Sequence, residues 1–455
     1  MLTTRRIRSC LLLLLFALGA SPFSGSGHNE PAAAVPLAAA ASEHQESRDD
    51  RIAAAVEMLS SIIIEMRHKI HQNPELGNRE FETAKLVANH LESLGIEVRE
   101  GVAHTGVVGV LVGGRPGPVV AVRADMDALP VTEDTPYPFR STVRTSYLGQ
   151  EVGVSHACGH DIHTAVQLGV ASVLAELRDE IPGTVKLIFQ PAEEGAPPGE
   201  QGGASLMVAE GVLDDPRPSA IFGLHTGAME VGTVGLAVGP AYAAVDHFYI
   251  TIGGRQAHGA YPHLSVDPVV MAAQTVTALQ TIRSRNLPPL APSVITVGTI
   301  HGGERFNIIP SEVRMEGTVR TYSEEVRNSV EARMGEIVDG VTRAGGGTFE
   351  LTYDRGSPAT INDPALAEMM LPTLRRVLGV QHVEDQEPAT AGEDFAFFAD
   401  EVPGFYFSLG MVKPGTTSGG HHTPTFQADD SSIPVGMRAM TALLLDYLDL
   451  AGAAR

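Results

Sequence analysis

From Ile52 onward, apolar residues recur at helical spacing at Val56, Leu59, Ile63, Met66 and Ile70, until Asn73-Pro74 stops the run. A second helix is predicted over Phe81–Leu94, with Gly95 placed to cap its C-terminus. Short β-rich runs follow at Val107–Val112 and Val119–Ala124, then a helix over Ala165–Leu177 and strands over Val185–Phe189 and Ala220–Leu224. Short buried strands interleaved with helices predict an α/β fold with an open sheet.

The pattern changes near Ala244. From there the chain reads strand (Phe248–Ile252), helix (Pro268–Arg283), strand (Val294–Thr299), strand (Glu312–Arg320), helix (Glu324–Ala344) and strand (Thr348–Tyr353). This β-α-β-β-α-β order is the split βαβ, ferredoxin-like motif. Helical and strand segments resume at Asp363, where Gly392-Glu393-Asp394-Phe395 is expected to open a helix and Phe405–Leu409 to form a strand. The motif is therefore expected to be an insertion, residues 244–355, between two parts of one larger domain, residues 48–243 and 356–455.

Polar chemistry collects where these strands end. Val119–Ala124 runs into Asp125-Met126-Asp127, Val185–Phe189 into Gln190-Pro191-Ala192-Glu193-Glu194, and Ala220–Leu224 into His225. Between them lies Ser155–Thr164, SHACGHDIHT, with one cysteine and three histidines in ten residues. Four segments thus deliver Asp, Cys/His, Glu-Glu and His to one edge of one sheet, the edge where ligands bind in open α/β sheets. Cys158 and His160 can face a single point from a turn or a frayed helix start, and together offer a thiolate and an imidazole to a transition metal.

Composition refines this picture in two places. Acidic residues outnumber basic ones by 54 to 32, a formal charge of −22, which argues against nucleic acid or an anionic membrane surface as partner. At the N-terminus, Arg5, Arg6 and Arg8 precede an apolar run from Cys10 to Ala20, the pattern of a secretory signal over residues 1–20. Residues 21–47, rich in Ala, Pro, Gly and Ser, then read as a flexible tether, and the protein is expected to be exported, to the periplasm or the medium. Signal cleavage would leave Cys158 as the single cysteine, so no intramolecular disulfide could form, and metal ligation would account for an exported unpaired thiol.

The collected candidates are Cys158, His160, Glu194, His225 and one of His421 or His422, with Glu193 beside them. Five ligands exceed what one tetrahedral zinc takes from protein, and suit two ions sharing a bridge. A hydrolase of this kind needs a water and a base to take its proton, and adjacent glutamates can divide metal binding from proton transfer. Glu193-Glu194 standing alone would read as a solvated surface pair.

The ordered motifs RADMDALP, HACGHDIHTA, FQPAEEG, GLH, HLSVDP, FNIIPSEVRMEGTVRT, GEDF and HHTPTF resemble the metal-dependent aminoacylase/carboxypeptidase family. Within it they are similar to the amidohydrolase branch of hippurate and indole-acetyl-amino-acid hydrolases, from about Ile52 to the C-terminus. The resemblance implies a dimetal catalytic domain with an inserted lid that mediates dimerisation. It implies two divalent ions per subunit, Zn or Mn with Co or Ni also admissible, and hydrolysis of the amide bond of N-acyl amino acids or small peptides with a free carboxylate. By the same resemblance, Cys158 bridges the ions and His160, Glu194, His225 and His422 complete the shell. Glu193 is the general base, Asp127 orients a ligand, His258 polarises the scissile carbonyl, and Asn307 and Arg320 hold the substrate carboxylate. Ile162 stands where the branch has Gly and is expected to narrow the pocket; Ala196–Gly203 and Gly227-Ala228-Met229 also depart from the pattern. A dipeptidase or aminopeptidase with a related site, or a silent binding protein of the same fold, are the alternatives.

Overall fold

The structure, a computed structural model, describes residues 37–453. In chain order its main elements are α1 (Leu37–Gln72), α2 (Phe81–Ser93), β1 (Glu97–Val102), β2 (Gly106–Val112), β3 (Arg115–Asp125), α3 (His160–Glu176), β4 (Pro182–Gln190), β5 (Ile221–Glu230) and β6 (Val234–Leu236). They continue with β7 (Ala244–Gly253), α4 (Pro268–Thr281), β8 (Ser293–His301), β9 (Glu312–Thr321), α5 (Glu324–Gly345) and β10 (Thr348–Arg355). The chain closes with α6 (Pro364–Leu378), β11 (Val383–Asp385), β12 (Gly404–Val412) and α7 (Ser432–Ala453). The signal reading falls on residues outside those described. Helix α1 begins at Leu37, inside the stretch read as a tether, because the Ala-rich run there also has the highest helix propensity.

The largest sheet among the described residues has eight strands in the order β1-β2-β4-β3-β5-β12-β6-β11. Its centre, β4, β3, β5 and β12, is parallel, and antiparallel pairs at β1/β2, β2/β4 and β12/β6 make it mixed. Side chains alternate across it. Val120, Val122, Val185, Leu187, Phe222, Leu224, Phe405 and Phe407 join one core with α3, α6 and α7, while Ala121, Ile188, Ile221 and Tyr406 face a second core built around Met207, Phe395 and Phe398. Helix α3 is buried from His160 to Leu174, so its first turn is held from all sides.

The inserted segment forms its own four-stranded antiparallel sheet, β8-β9-β7-β10, with α4 and α5 packed over a separate apolar cluster that includes Phe248, Met271, Leu279 and Met334. This is the strand order of the split βαβ motif. Asp267 caps α4 by accepting from the Val269 and Val270 amides, and Ser323 caps α5 at Val326. A buried ion pair, Arg327 with Asp246 at 2.6 Å, ties α5 to β7, and the Tyr353 hydroxyl donates to the same carboxylate at 2.8 Å.

Two expected elements differ. Strand β5 does not end at His225 but runs on to Glu230, because pairing with β12 continues to Val412 after the apolar run has stopped. The helix expected at Gly392–Phe395 is a single turn, Ala396–Ala399; the Glu393 carboxylate accepts the Phe395 amide and keeps the preceding residues in a loop.

Candidate metal centre

Gly159 makes the central turn possible. It adopts φ +92°, and a Cβ there would lie 2.3 Å from Thr226 Oγ1, so only glycine fits. The left-handed residue lets Cys158, just before it, and His160, the first residue of α3, face the same space. The Thr226 hydroxyl fixes the turn by donating to the Cys158 carbonyl at 2.9 Å. His225 comes from β5; Arg123 and Gly223 are in register, which sets His225 level with Asp125 at the end of β3.

Cys158 Sγ lies 3.4 Å from His225 Nε2. His422 Nε2 stands 3.0 Å from Glu194 Oε1, and His160 Nε2 is 3.8 Å from Glu193 Oε2 and 3.9 Å from Glu194 Oε1. Two groups of ligand atoms, Cys158/His160/His225 and Cys158/Glu194/His422, are each compact enough to hold one ion, and they share Cys158. Their ring nitrogens are oriented from behind. Asp127 Oδ1 is 3.2 Å from His160 Nδ1, and the Thr226 carbonyl accepts from His225 Nδ1 at 2.8 Å, which leaves both Nε2 atoms with a lone pair for the interior.

A metal fits these residues. His160 Nε2 is buried without a hydrogen-bond partner, a costly arrangement unless a cation takes its lone pair. Burial opposes charge on His160, yet Asp125 and Asp127 outweigh it and hold its pKa well above the ordinary value, so the pocket favours a positive charge. Burial also pushes the Cys158 thiol up, and a neighbouring cation is what would turn it into a thiolate ligand.

The surroundings shift the two glutamates in opposite directions. Burial raises both, but His422 and His160 bring Glu194 below the usual carboxylate value. Glu193, surrounded by Glu393, Glu194 and Asp394, stays well above it.

Of the two terminal histidines, His421 Nε2 donates to the Thr226 carbonyl at 3.1 Å, while His422 faces Glu194. His163, the third histidine of the stretch, is not available: Asp125 Oδ1 lies 2.6 Å from its Nδ1, and its Nε2 accepts the Thr226 amide at 2.8 Å. In the inserted segment, a short ladder pairs His258 with Ile308, and the Gly259 amide donates to the Asn307 carbonyl at 2.8 Å, so His258 and Asn307 are neighbours. Arg320 lies apart from them on β9, opposite Val245 and Val294. Among the described residues none of these three has a hydrogen bond or ion pair with the Cys158 cluster. Ile162 is fully buried in the main core and takes no part in lining the pocket, contrary to expectation, because α3 turns that face onto the sheet.

Sequence reading missed the support behind the cluster. Arg123, fully buried, binds Asp125 at 2.6 Å, Asp394 at 2.8 Å and Glu393 at 3.0 Å. The Tyr406 hydroxyl donates to Glu393 at 2.6 Å. The only signal for this network was a charged residue, Arg123, inside an apolar strand. Beside the cluster lies a cavity of about 530 Å³, lined by Leu76, Leu129, Tyr147 and Pro197 and bounded by Asp127 and Glu194.

Residues 121–446 match the model of Peptidase family M20/M25/M40. The chain is 40% identical to N-acetyl-L-cysteine deacetylase of Bacillus subtilis, over 82% of this chain and 85% of that protein. It is 38% identical to thermostable carboxypeptidase 2 of Saccharolobus solfataricus, over 86% of this chain and 97% of that one. A solved Bacillus subtilis structure described as a dinuclear metal binding peptidase from the M20 family superposes with a TM-score of 0.72 at 34% identity, over 86% of this chain and 99% of that chain.

Proposed function

The chain belongs to peptidase family M20/M25/M40 and is a metal-dependent hydrolase of amide bonds, and from that premise we propose that it cleaves N-acyl amino acids or short peptides that carry a free carboxylate. The observation that carries this reading is the pair of ligand groups sharing Cys158, with Glu193 beside them. The named activities of the two relatives, deacetylation of an N-acetyl amino acid and carboxypeptidase action, meet in one substrate description: an amide next to a carboxylate.

In this reading Cys158, His160, Glu194, His225 and His422 hold two divalent ions, Zn or Mn, with Co or Ni also suited to the donor set. Bound ions would supply a Lewis acid and lower the pKa of a bound water. Glu193 takes the proton of the attacking water; its raised pKa, set by burial and by neighbouring carboxylates, suits a group that then hands the proton to the departing amine nitrogen. Asp127 and Thr226 keep the imidazoles of His160 and His225 in the ligating tautomer. The 530 Å³ cavity is large enough to receive the acyl half of the substrate. His258 would polarise the scissile carbonyl while Asn307 and Arg320 grip the carboxylate, which requires the inserted segment to close over the cluster as a lid, in its own or a partner subunit of a homodimer. Residues 1–20 would direct export.

Metal analysis of the purified protein, with a hydrolysis screen over N-acyl amino acids and dipeptides, tests the reading. Turnover should require the free carboxylate and tolerate a blocked amine. Turnover that requires a free amine instead would assign an aminopeptidase, and metal binding without turnover would assign a binding protein.

A further inference from the structure

Glu80 stands at the N-cap position of α2 but does not cap its own helix. Another glutamate does: Glu75 accepts the Glu82 amide at 3.1 Å and the Thr83 amide at 2.9 Å. The Glu80 carboxylate, fully buried, turns the other way, where it accepts the Ala192 amide at 2.9 Å and the hydroxyl of Thr105.

Ala192 is the residue before Glu193, and its backbone is left-handed, φ +52°. For a residue with a Cβ that conformation is unfavourable, so the surroundings must hold it. Beside the bond from its amide to Glu80, three contacts do so. The Ala192 carbonyl accepts the Gly195 amide at 3.3 Å, closing a turn over residues 192–195. Asp127 Oδ2 accepts the Glu194 amide at 3.0 Å. Gly77 packs so closely that a Cβ on it would meet the Gly195 carbonyl at 2.7 Å and Ala192 Cβ at 3.0 Å. The turn that carries Glu193 and Glu194 is thus gripped by two carboxylates from separate segments, Asp127 on the side of the ligands and Glu80 on the side of the core.

We propose that Glu80 is a positioning residue for catalysis, which locks the left-handed turn at Ala192 so that Glu193 faces the reacting water while Glu194 faces His422. This rests on the proton-transfer role assigned to Glu193 above. Without the acceptor, Ala192 relaxes toward negative φ and the Glu193 side chain swings with it. A displacement of about 1 Å at such a group costs on the order of a hundredfold in rate, with substrate binding largely spared.

Three variants test it. Glu80→Gln keeps an oxygen for the Ala192 amide; Glu80→Met keeps the volume and loses the acceptor; Glu80→Asp keeps the carboxyl but draws it back by one methylene. Each is compared with the parent enzyme for kcat and KM on an N-acyl amino acid, for metal content, and for hydrogen–deuterium exchange of the peptide covering residues 189–195. The Met and Asp variants should lose about tenfold to a hundredfold in kcat with KM within about twofold, retain their metals, and exchange the turn amides at least about tenfold faster, whereas Glu80→Gln stays near the parent in every readout. Should Glu80→Met not fold, the Asp variant alone decides. Parent-like kcat and exchange in the folded Met or Asp variant, or an equal loss in Glu80→Gln, overturns the proposal. If the parent hydrolyses no substrate, the functional reading has failed, and the exchange data still judge Glu80: unchanged protection of the turn refutes its role, and lost protection in the Met or Asp variant upholds it.

Discussion

Cys158 and His225 come from segments 67 residues apart, yet Cys158 Sγ lies 3.4 Å from His225 Nε2, with the Gly159 turn on one side and the Thr226 carbonyl holding the far ring nitrogen on the other. Cys158 also belongs with Glu194 and His422 to a second compact group. A residue common to two ligand groups should matter to both ions. Cys158→Ala is therefore expected to lower bound metal from about two ions per chain to one or none, read by elemental analysis after dialysis. Full metal content with full activity would remove the bridging role.

Arg320 is half-buried on β9, and burial lowers the pKa of its guanidinium without taking it out of the charged state. If it grips the substrate carboxylate once the inserted segment closes, Arg320→Ala should raise KM by about tenfold to a hundredfold for substrates with a free carboxylate and change little for the corresponding amides. Equal losses on both substrate types would refute the clamp.

The inserted segment hangs on Asp246. Arg327, the Tyr353 hydroxyl and the Gly356 amide all converge on its buried carboxylate. Removing it leaves the Arg327 guanidinium with only Glu324 at 2.8 Å and the Gly356 carbonyl at 3.0 Å, so Asp246→Ala should destabilise by about 3 kcal/mol, seen as an earlier transition in chemical denaturation. A loss below about 1 kcal/mol would mean that Arg327 finds water instead.

Glu80 also carries a pH signature. Burial, and then the charge of Asp127, push its carboxyl up to about 8 in the folded protein, against about 4.3 unfolded. The native state therefore holds this proton more tightly than the unfolded chain. The stabilisation is fully present below pH about 4.5 and is lost as the pH rises through about 8. Glu80→Gln, which cannot ionise, should gain in Tm relative to the parent as pH is raised from 5 to 9. Parallel Tm profiles would show that the Glu80 carboxyl titrates normally.

Much of this was legible in the chain because it is written in local pattern. The short continuous apolar runs of β3, β4 and β12 and the long apolar stripe of α1 produced elements whose ends the structure shifts by only a few residues, apart from the N-terminal extension of α1. The strand order of the inserted segment followed from its β-α-β-β-α-β sequence. The ligand candidates were visible because Cys, His and Glu clustered at strand ends. What holds them in place was not. Arg123, Glu393 and Tyr406 meet across more than 280 residues of chain, and nothing local distinguishes Glu80 from any other polar residue before a helix. His163 lies in the same Cys/His stretch, and nothing local shows that its two nitrogens are taken by Asp125 and Thr226. Pairing, capping and tautomer are properties of the assembled site, and no periodicity encodes them.

The division of labour between Glu193 and Glu194 is the centre of the account, since one must hold a cation and the other a proton. Neighbouring His422 and His160 lower the Glu194 pKa, while burial and neighbouring carboxylates raise that of Glu193. Loss of a positioned acid/base costs about 10²–10⁴ in rate and spares the ground state. The most direct measurement is metal content and kcat, side by side, for Glu193→Gln and Glu194→Gln. Glu193→Gln should keep its full metal complement and lose turnover by that factor, while Glu194→Gln loses metal; a Glu193→Gln protein that loses metal while Glu194→Gln retains it would contradict the assignment.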